Sequence, residues 1–265
     1  MTAGLSVLAP GLHTTVQDLG RTSWQAIGVP VSGALDATAL RLANRLVGNE
    51  AGTAGLEILY SGPTFAVAAD SVRVALAGAG AGLVVNGTVP VPAWRSVRLG
   101  RGDVVGIVVG RQSACCCLGV EGGIAVPKVL GSASTYVRAG IGGFEGRPLR
   151  SGDLLPLALA EAPERAELRL PKPPPAATDA PIRVVLGPQH DYFTEAALAR
   201  LLEAEFRVSQ NADRMGMRLD GPALPHCGGW DIVSDAIATG QSRCPARGDR
   251  LCCWPITRLW AAIPR

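Results

Sequence analysis

Short apolar runs alternate with turn signals through residues 1–160. The runs occupy residues 5–9, 56–59, 64–67, 72–77, 83–85, 96–99, 104–109, 118–124 and 154–159. Ser61-Gly62-Pro63, Asn86-Gly87 and Gly100-Arg101-Gly102-Asp103 divide several of them. Runs this short, bounded by Gly, Pro, Asn and Asp, predict strands joined by tight turns, and Asn86-Gly87 suits a two-residue hairpin. One segment has a different period. Leu40, Ala43, Leu46 and Val47 recur at helical spacing, with Arg41, Asn44 and Arg45 on other faces. Asp36 is placed to cap that helix, a role weighed equally with a ligand role, and Gly48-Asn49 ends it. Residues 129–150 are rich in Gly and Ser and predict a long ordered loop.

The second half is less regular. Residues 161–181 hold Pro173-Pro174-Pro175 among Ala and Glu and predict a linker, extended in part. A strand is expected at residues 182–186, a helix capped by Thr194 at residues 193–205, and extended chain at residues 206–208. Residues 39–62 and 197–221 share the order helix, polar turn, apolar strand, and end in Ser-Gly-Pro and Asp-Gly-Pro. A duplicated unit or chance accounts equally well for that echo; duplication would make two related β-rich lobes. The fold class expected is mainly β with a few helices. The N-terminal lobe is residues 1–160 and the partial C-terminal lobe residues 182–240.

Composition narrows the function. The chain has 265 residues, 48% hydrophobic and 18% charged, with a net charge of +3. Lys occurs only at Lys128 and Lys172, and no basic block is present, so nucleic-acid binding is not expected. No uncharged apolar stretch approaches the roughly 20 residues of a membrane helix, and no basic leader is visible, so a cytoplasmic, soluble protein is expected. Cys115, Cys116 and Cys117 alternate faces on a strand and cannot meet one ion. Cys227, Cys244, Cys252 and Cys253 lack CxxC spacing, and His13, His190 and His226 stand alone. No metal site is expected.

Residues 11–36, GLHTTVQDLGRTSWQAIGVPVSGALD, are dense in polar groups without Lys or Glu. Thr14, Thr15, Gln17, Asp18 and Arg21 fall close together, and Gly20, Gly28, Pro30 and Gly33 break the backbone around them. Such a stretch is arranged either for a ligand or as a strand, turn and helix cap. The tail from Gln241, QSRCPARGDRLCCWPITRLWAAIPR, has no period of 2 or 3.6. A shifted reading frame beginning near Gln241 accounts for it: GC-rich back-translation allows an alternative peptide with alternating strand residues and Gly turns. Residues 241–265 are then an aberrant tail.

GLHTTVQDLGR, GVPVSGALD, LRLANRLVGN and LEILYSGPT, in that order, resemble the biotin-dependent carboxyltransferase-like family. So do GGIAVPKVLGSASTYVRAGIGGFEGRPLRSGD, VLGPQHDYFT, NADRMGMRLDGPAL and IVSDAIATG, and the resemblance covers residues 5–240. Members include the C-type subunit of 5-oxoprolinase, the second subunit of allophanate hydrolase, KipA-type proteins and the carboxyltransferase region of urea carboxylase. The resemblance implies two cyclophilin-like β-barrel lobes, the second incomplete because the tail replaces its last strands. Cys117 stands where members often have Tyr. The resemblance also implies ATP-dependent opening of 5-oxoproline to glutamate with partner subunits A and B, of which the second, KipI-like, is the more direct partner. The alternatives are carboxyl transfer to urea and a KipA-type regulatory role antagonising a kinase inhibitor. No Met-Lys-Met site for covalent biotin occurs in the chain.

Those reactions need donors for developing negative charge and a base. Arg21, Arg147 and Arg214 are candidate anion clamps, and Gln17 and Ser32 candidates to orient an amide. Asp18 and Glu57 stand as bases or as partners of an Arg; Asp18–Arg21 could be only a local salt bridge. Asp213-Arg214 could only close a turn. Ser132, Ser134, Gly142 and Gly143, through backbone amides, and Arg147 are candidates to bind the phosphates of ATP in the assembled complex. The segment NADRMGMRLDG is expected to face residues 11–36 across a cleft.

Overall fold

The computed structural model describes residues 3–110, 114–174, 181–210, 214, 216–227 and 240–244, and the backbone of residues 250–253. It divides into two units, Met1–Ala177 and Thr178–Arg265. The first runs β1 (Gly4–Ala9), β2 (His13–Gln17), α1 (Ala37–Leu46), β3 (Gly55–Leu59), β4 (Thr64–Val67), β5 (Ser71–Ala77), β6 (Gly82–Val85), β7 (Val89–Pro92), β8 (Arg95–Gly100), β9 (Val104–Val108), β10 (Cys115–Val120) and β11 (Leu154–Pro156). The strands form two antiparallel sheets, ordered β11-β1-β4-β9-β6-β7 and β2-β3-β10-β5-β8.

The mainly β expectation holds, but the sheets are open, not closed barrels. β7 ends the six-stranded sheet, and its Pro90 and Pro92 carry no N–H to extend a ladder. The core lies between the sheets. Leu5, Val7, Phe65, Leu83 and Val105 meet Val16, Leu56, Ile58, Leu76 and Leu118 there.

α1 covers the other face of the five-stranded sheet. Leu40 and Ala43 lie against Ala77 and Cys117, and Leu46 and Val47 against Ala75. Close approach requires Gly119, where a Cβ would stand 2.7 Å from the carbonyl carbon of Ala43. Asp36 caps the helix as expected, its Oδ1 accepting from the Ala39 amide at 2.8 Å. Asn86 and Gly87, with φ of 51° and 72°, close the expected β6–β7 hairpin. The three consecutive cysteines alternate: Cys116 joins the inter-sheet core and Cys117 the α1 layer. The Cys115 thiol is pushed up by its hydrogen bond with Cys117 and by burial, and the Cys116 thiol by burial. Both therefore behave as small apolar groups.

The expected linker begins as part of the first unit. The Ser96 amide donates to Leu168 O and the Leu170 amide to Trp94 O, both at 2.8 Å, so the chain there lies along β8. Arg73, fully buried, draws it down: it pairs with Glu121 at 2.6 Å and Glu167 at 3.2 Å and donates to the carbonyls of Pro163 and Arg165.

The second unit holds α2 (Glu195–Glu203), capped by Thr194 as expected, and β12 (Arg207–Val208), β13 (Met217–Asp220), β14 (Ser242–Arg243) and β15 (Arg250–Cys253), ordered β12-β13-β15-β14. One expectation fails here. Residues 182–186 form no strand, and Val185 is 95% exposed, because no described strand lies beside them. Within the tail β15 pairs with β13 and β14, since ladder formation needs backbone amides rather than an alternating side-chain pattern. Asp213, residues 232–239 and residues 254–265 lie outside the described residues.

Replacing Asp36 with Ala should destabilise the chain by about 1 kcal/mol through loss of the cap. Urea unfolding followed by circular dichroism checks this, as a lower midpoint at unchanged slope.

Candidate functional site

Residues 11–36 fold back on themselves at the end of β2. Gly20 and Gly33, with φ of 92° and 88°, let two loop segments touch; a Cβ on Gly33 would stand 2.9 Å from Gly20 N. The Arg21 amide donates to Val31 O at 2.8 Å and the Ala34 amide to Asp18 O at 2.9 Å. Ser32 sits in this return at φ 57°.

Side chains of residues 18–24 then reach a second segment, residues 129–135. Ser132 Oγ and Ser134 Oγ donate to Asp18 Oδ1, each at 2.6 Å. The Gly20 amide donates to the same oxygen at 2.7 Å, and the Ala133 amide to Oδ2 at 2.7 Å. Burial pushes the Asp18 carboxyl up, but these donors outweigh it and hold it below the usual carboxylate range. Asp18 is thus a fixed anion that organises loops, not a base poised near neutrality.

Arg21 is 1% exposed. Its Nη2 donates to Ser134 O and its Nε to Val129 O at 3.4 Å. Burial lowers its pKa, against a smaller raising effect of the nearby Asp18 charge. Those two do not form a local salt bridge, because the Asp18 oxygens are taken by neutral donors. Gly142 closes over the guanidinium; a Cβ there would stand 2.8 Å from Nη2. Gln17 is fully buried, and its Nε2 donates to Thr15 Oγ1 at 3.0 Å and Thr135 O at 3.2 Å. Two atoms are left over: Arg21 Nη1 and Gln17 Oε1 are buried without a hydrogen-bond partner.

The remaining candidates serve the frame. Glu57 faces Thr15 and Cys117 in register, and its Oε2 accepts from the Leu35 amide at 2.6 Å, pinning the entry to α1. Ser132 and Ser134 hydroxyls are spent on Asp18. Three of the four amides expected to meet phosphate are spent too: Ser132 N on Val129 O, Ser134 N on Ser132 Oγ and Gly143 N on Ala133 O. Arg147 is held by Asp153 and Glu145, at 2.7 Å and 2.5 Å, and donates to Pro148 O. Its pKa is raised, first by the Asp153 hydrogen bond. It braces its own loop and has no donor left for an anion. Arg214 falls in the second unit, in a turn before β13. Sequence reasoning misses two residues. Thr135 receives Gln17, and Trp24 ties its loop to the second segment by donating from Nε1 to Leu130 O at 3.1 Å. An aromatic inside a Gly-flanked polar loop is the available signal for Trp24. Among the described residues no group of His, Cys, Asp and Glu is placed to hold a metal.

A family model described as "Carboxyltransferase domain, subdomain A and B" matches residues 27–253. The chain belongs to this carboxyltransferase-domain family. The C-type subunit of Escherichia coli 5-oxoprolinase is 31% identical over 98% of the chain and 83% of that protein. Saccharomyces cerevisiae urea amidolyase is 35% identical over 82% of the chain, yet the match spans only 12% of that much longer enzyme. Of solved structures, TTHA0988 superposes with a TM-score of 0.81 at 35% identity over 97% of the chain, which spans 49% of TTHA0988. Kluyveromyces lactis urea amidolyase gives 0.78 at 28% identity over 97% of the chain and 17% of its own. The carboxyltransferase-domain fold thus recurs in free-standing subunits and in parts of larger chains.

Asp18→Asn tests the frame through pH. The folded carboxyl lies below its unfolded value, so its contribution is complete above about pH 4 and fades as pH falls toward the folded pKa. At pH 7 Asp18→Asn should cost about 1–3 kcal/mol. Thermal midpoints should fall more steeply with acid for the parent than for the variant; parallel curves would contradict the assignment.

Proposed function

We propose that the chain is the C-type subunit of an ATP-dependent 5-oxoprolinase and holds the lactam beside Arg21 and Gln17. The observation that carries this reading is the unsatisfied pair, Arg21 Nη1 and Gln17 Oε1. A buried guanidinium N–H calls for an anionic oxygen and a buried amide oxygen for an N–H, and leaving either unmet costs stability. 5-Oxoproline presents both, a carboxylate or ring-opening oxyanion and a lactam N–H. The near full-length likeness to a C-type subunit supports the same choice.

Arg21 would stabilise negative charge as the lactam opens, and Gln17 would orient the ring nitrogen. The nucleotide is assigned to the partner subunits A and B, because the Ser132, Ser134 and Gly143 amides and the Arg147 guanidinium on this chain are already spent. No described helix is long and apolar enough to cross a membrane, and the reading locates the complex in the cytoplasm, where ATP is supplied. A second reading, carboxyl transfer to urea, is favoured by the 35% identity with urea amidolyase and uses the same two atoms on a smaller amide.

Co-expression with subunits A and B, followed by assay of ATP-dependent glutamate formation, tests the proposal. The assembled complex should be active. Arg21→Ala should lower kcat/KM about 100-fold, equivalent to about 3 kcal/mol, while still assembling. An assembled complex that makes no glutamate, or full activity in Arg21→Ala, sinks it; urea-dependent turnover with a biotinylated partner would select the second reading.

A further inference from the structure

Gln17 ends β2 with its side chain fully buried, and two groups decide which end of its amide stays free. A backbone carbonyl accepts and cannot donate, so the amide atom that meets Thr135 O at 3.2 Å is the nitrogen, Nε2. The second N–H of Nε2 goes to Thr15 Oγ1 at 3.0 Å, two positions back on the same face of the strand. Both N–H groups are then spent, and Oε1 is the spare atom. Thr135 is itself held firmly. Its amide and its hydroxyl both donate to Val16 O, at 3.0 Å and 2.8 Å. Gly143 leaves the room this needs: at φ 58°, a Cβ there would overlap Thr135 Oγ1. Turning the Gln17 amide over would set Oε1 against the Thr135 carbonyl, two buried acceptors with no proton between them.

We infer that Thr15 and Thr135 are positioning residues that lock Gln17 as an acceptor, so that the site selects a ligand with an N–H and rejects its isostere with an oxygen there. The inference rests on the lactam reading above and supplies the source of its selectivity. The spare groups are one donor, Arg21 Nη1, and one acceptor, Gln17 Oε1. A lactam or an amide matches both. A lactone or an ester keeps the carbonyl but brings a lone pair where the N–H was, and leaves the buried Oε1 unmet. Sites built to hydrogen-bond a ligand group reject the analogue lacking it far more strongly than a difference in shape allows. Neither threonine has to touch the ligand; each acts through Gln17.

Calorimetric titration of the assembled complex with 5-oxoproline, and with its lactone isostere carrying a ring oxygen in place of N–H, tests this. The parent complex should bind the lactone about 100-fold more weakly than the lactam. Thr15→Val keeps the shape but removes an acceptor, which frees Gln17 to turn Nε2 toward the ligand, so the ratio of the two Kd values should fall about fivefold. Thr15→Ser keeps the hydroxyl and should keep the parent ratio. Gln17→Met removes the amide altogether and gives a second measure: its ratio should fall further than that of Thr15→Val. A loosened site would weaken both ligands alike and leave the ratio unmoved. A parent ratio near one, an unchanged ratio in Thr15→Val, or a parent ratio that survives in Gln17→Met overturns the inference while 5-oxoproline binding by the parent stands. A parent complex that binds no 5-oxoproline defeats the lactam reading itself, and the inference with it.

Discussion

A buried carboxylate with four donors holds the first unit's polar centre together. Taking Asp18 out of water is unfavourable unless every lone pair finds a donor. Two serine hydroxyls and two backbone amides supply them. The Ser132 contact spans 114 positions of sequence, so one side chain ties the end of β2 to the long loop after β10. Arg21 and Gln17 sit on either side of that tie, each bound to a backbone carbonyl of residues 134–135. Their placement is therefore inherited from Asp18.

Three arginines in this unit show how partners separate bracing from binding. Arg73 faces two carboxylates and secures the chain after β11. Arg147 also faces two and braces its loop. Arg21 donates to carbonyls only, and the Asp18 carboxylate near it is engaged by neutral donors rather than by the guanidinium. A buried guanidinium with a spare N–H is costly for folding and useful for holding an anion, and this difference singles out Arg21.

Much of the fold is legible in the sequence because its causes are local. Strands at residues 64–67 and 72–77, the Asn86-Gly87 hairpin and the Asp36 cap follow from side-chain period, turn chemistry and capping. What fails depends on distant partners. β2 reads only as part of a polar stretch, since Thr15 and Gln17 point to a buried polar layer that period-2 hydrophobicity does not reveal. Residues 182–186 have strand-forming side chains but no neighbouring strand among the described residues. Closure into a barrel is a property of sheet edges, and Pro90 and Pro92 settle that edge locally. The site divides the same way. Gln17, Asp18 and Arg21 stand out by density, but whether each hydroxyl, amide or guanidinium is spent or spare depends on contacts more than a hundred positions away. Ser132 and Ser134 change role for that reason, whereas Arg147 is spent on neighbours within six positions.

On the proposed reading, Arg21 and Gln17 together receive the anionic oxygen and N–H of a lactam. Hydrogen-exchange mass spectrometry on the assembled complex, with and without 5-oxoproline, tests it most directly. Slowed exchange is predicted in residues 14–21 and 129–146, and the same ligand should give no slowing in an Arg21→Ala complex. Protection confined to the partner subunits, or equal protection in the variant, would contradict the account.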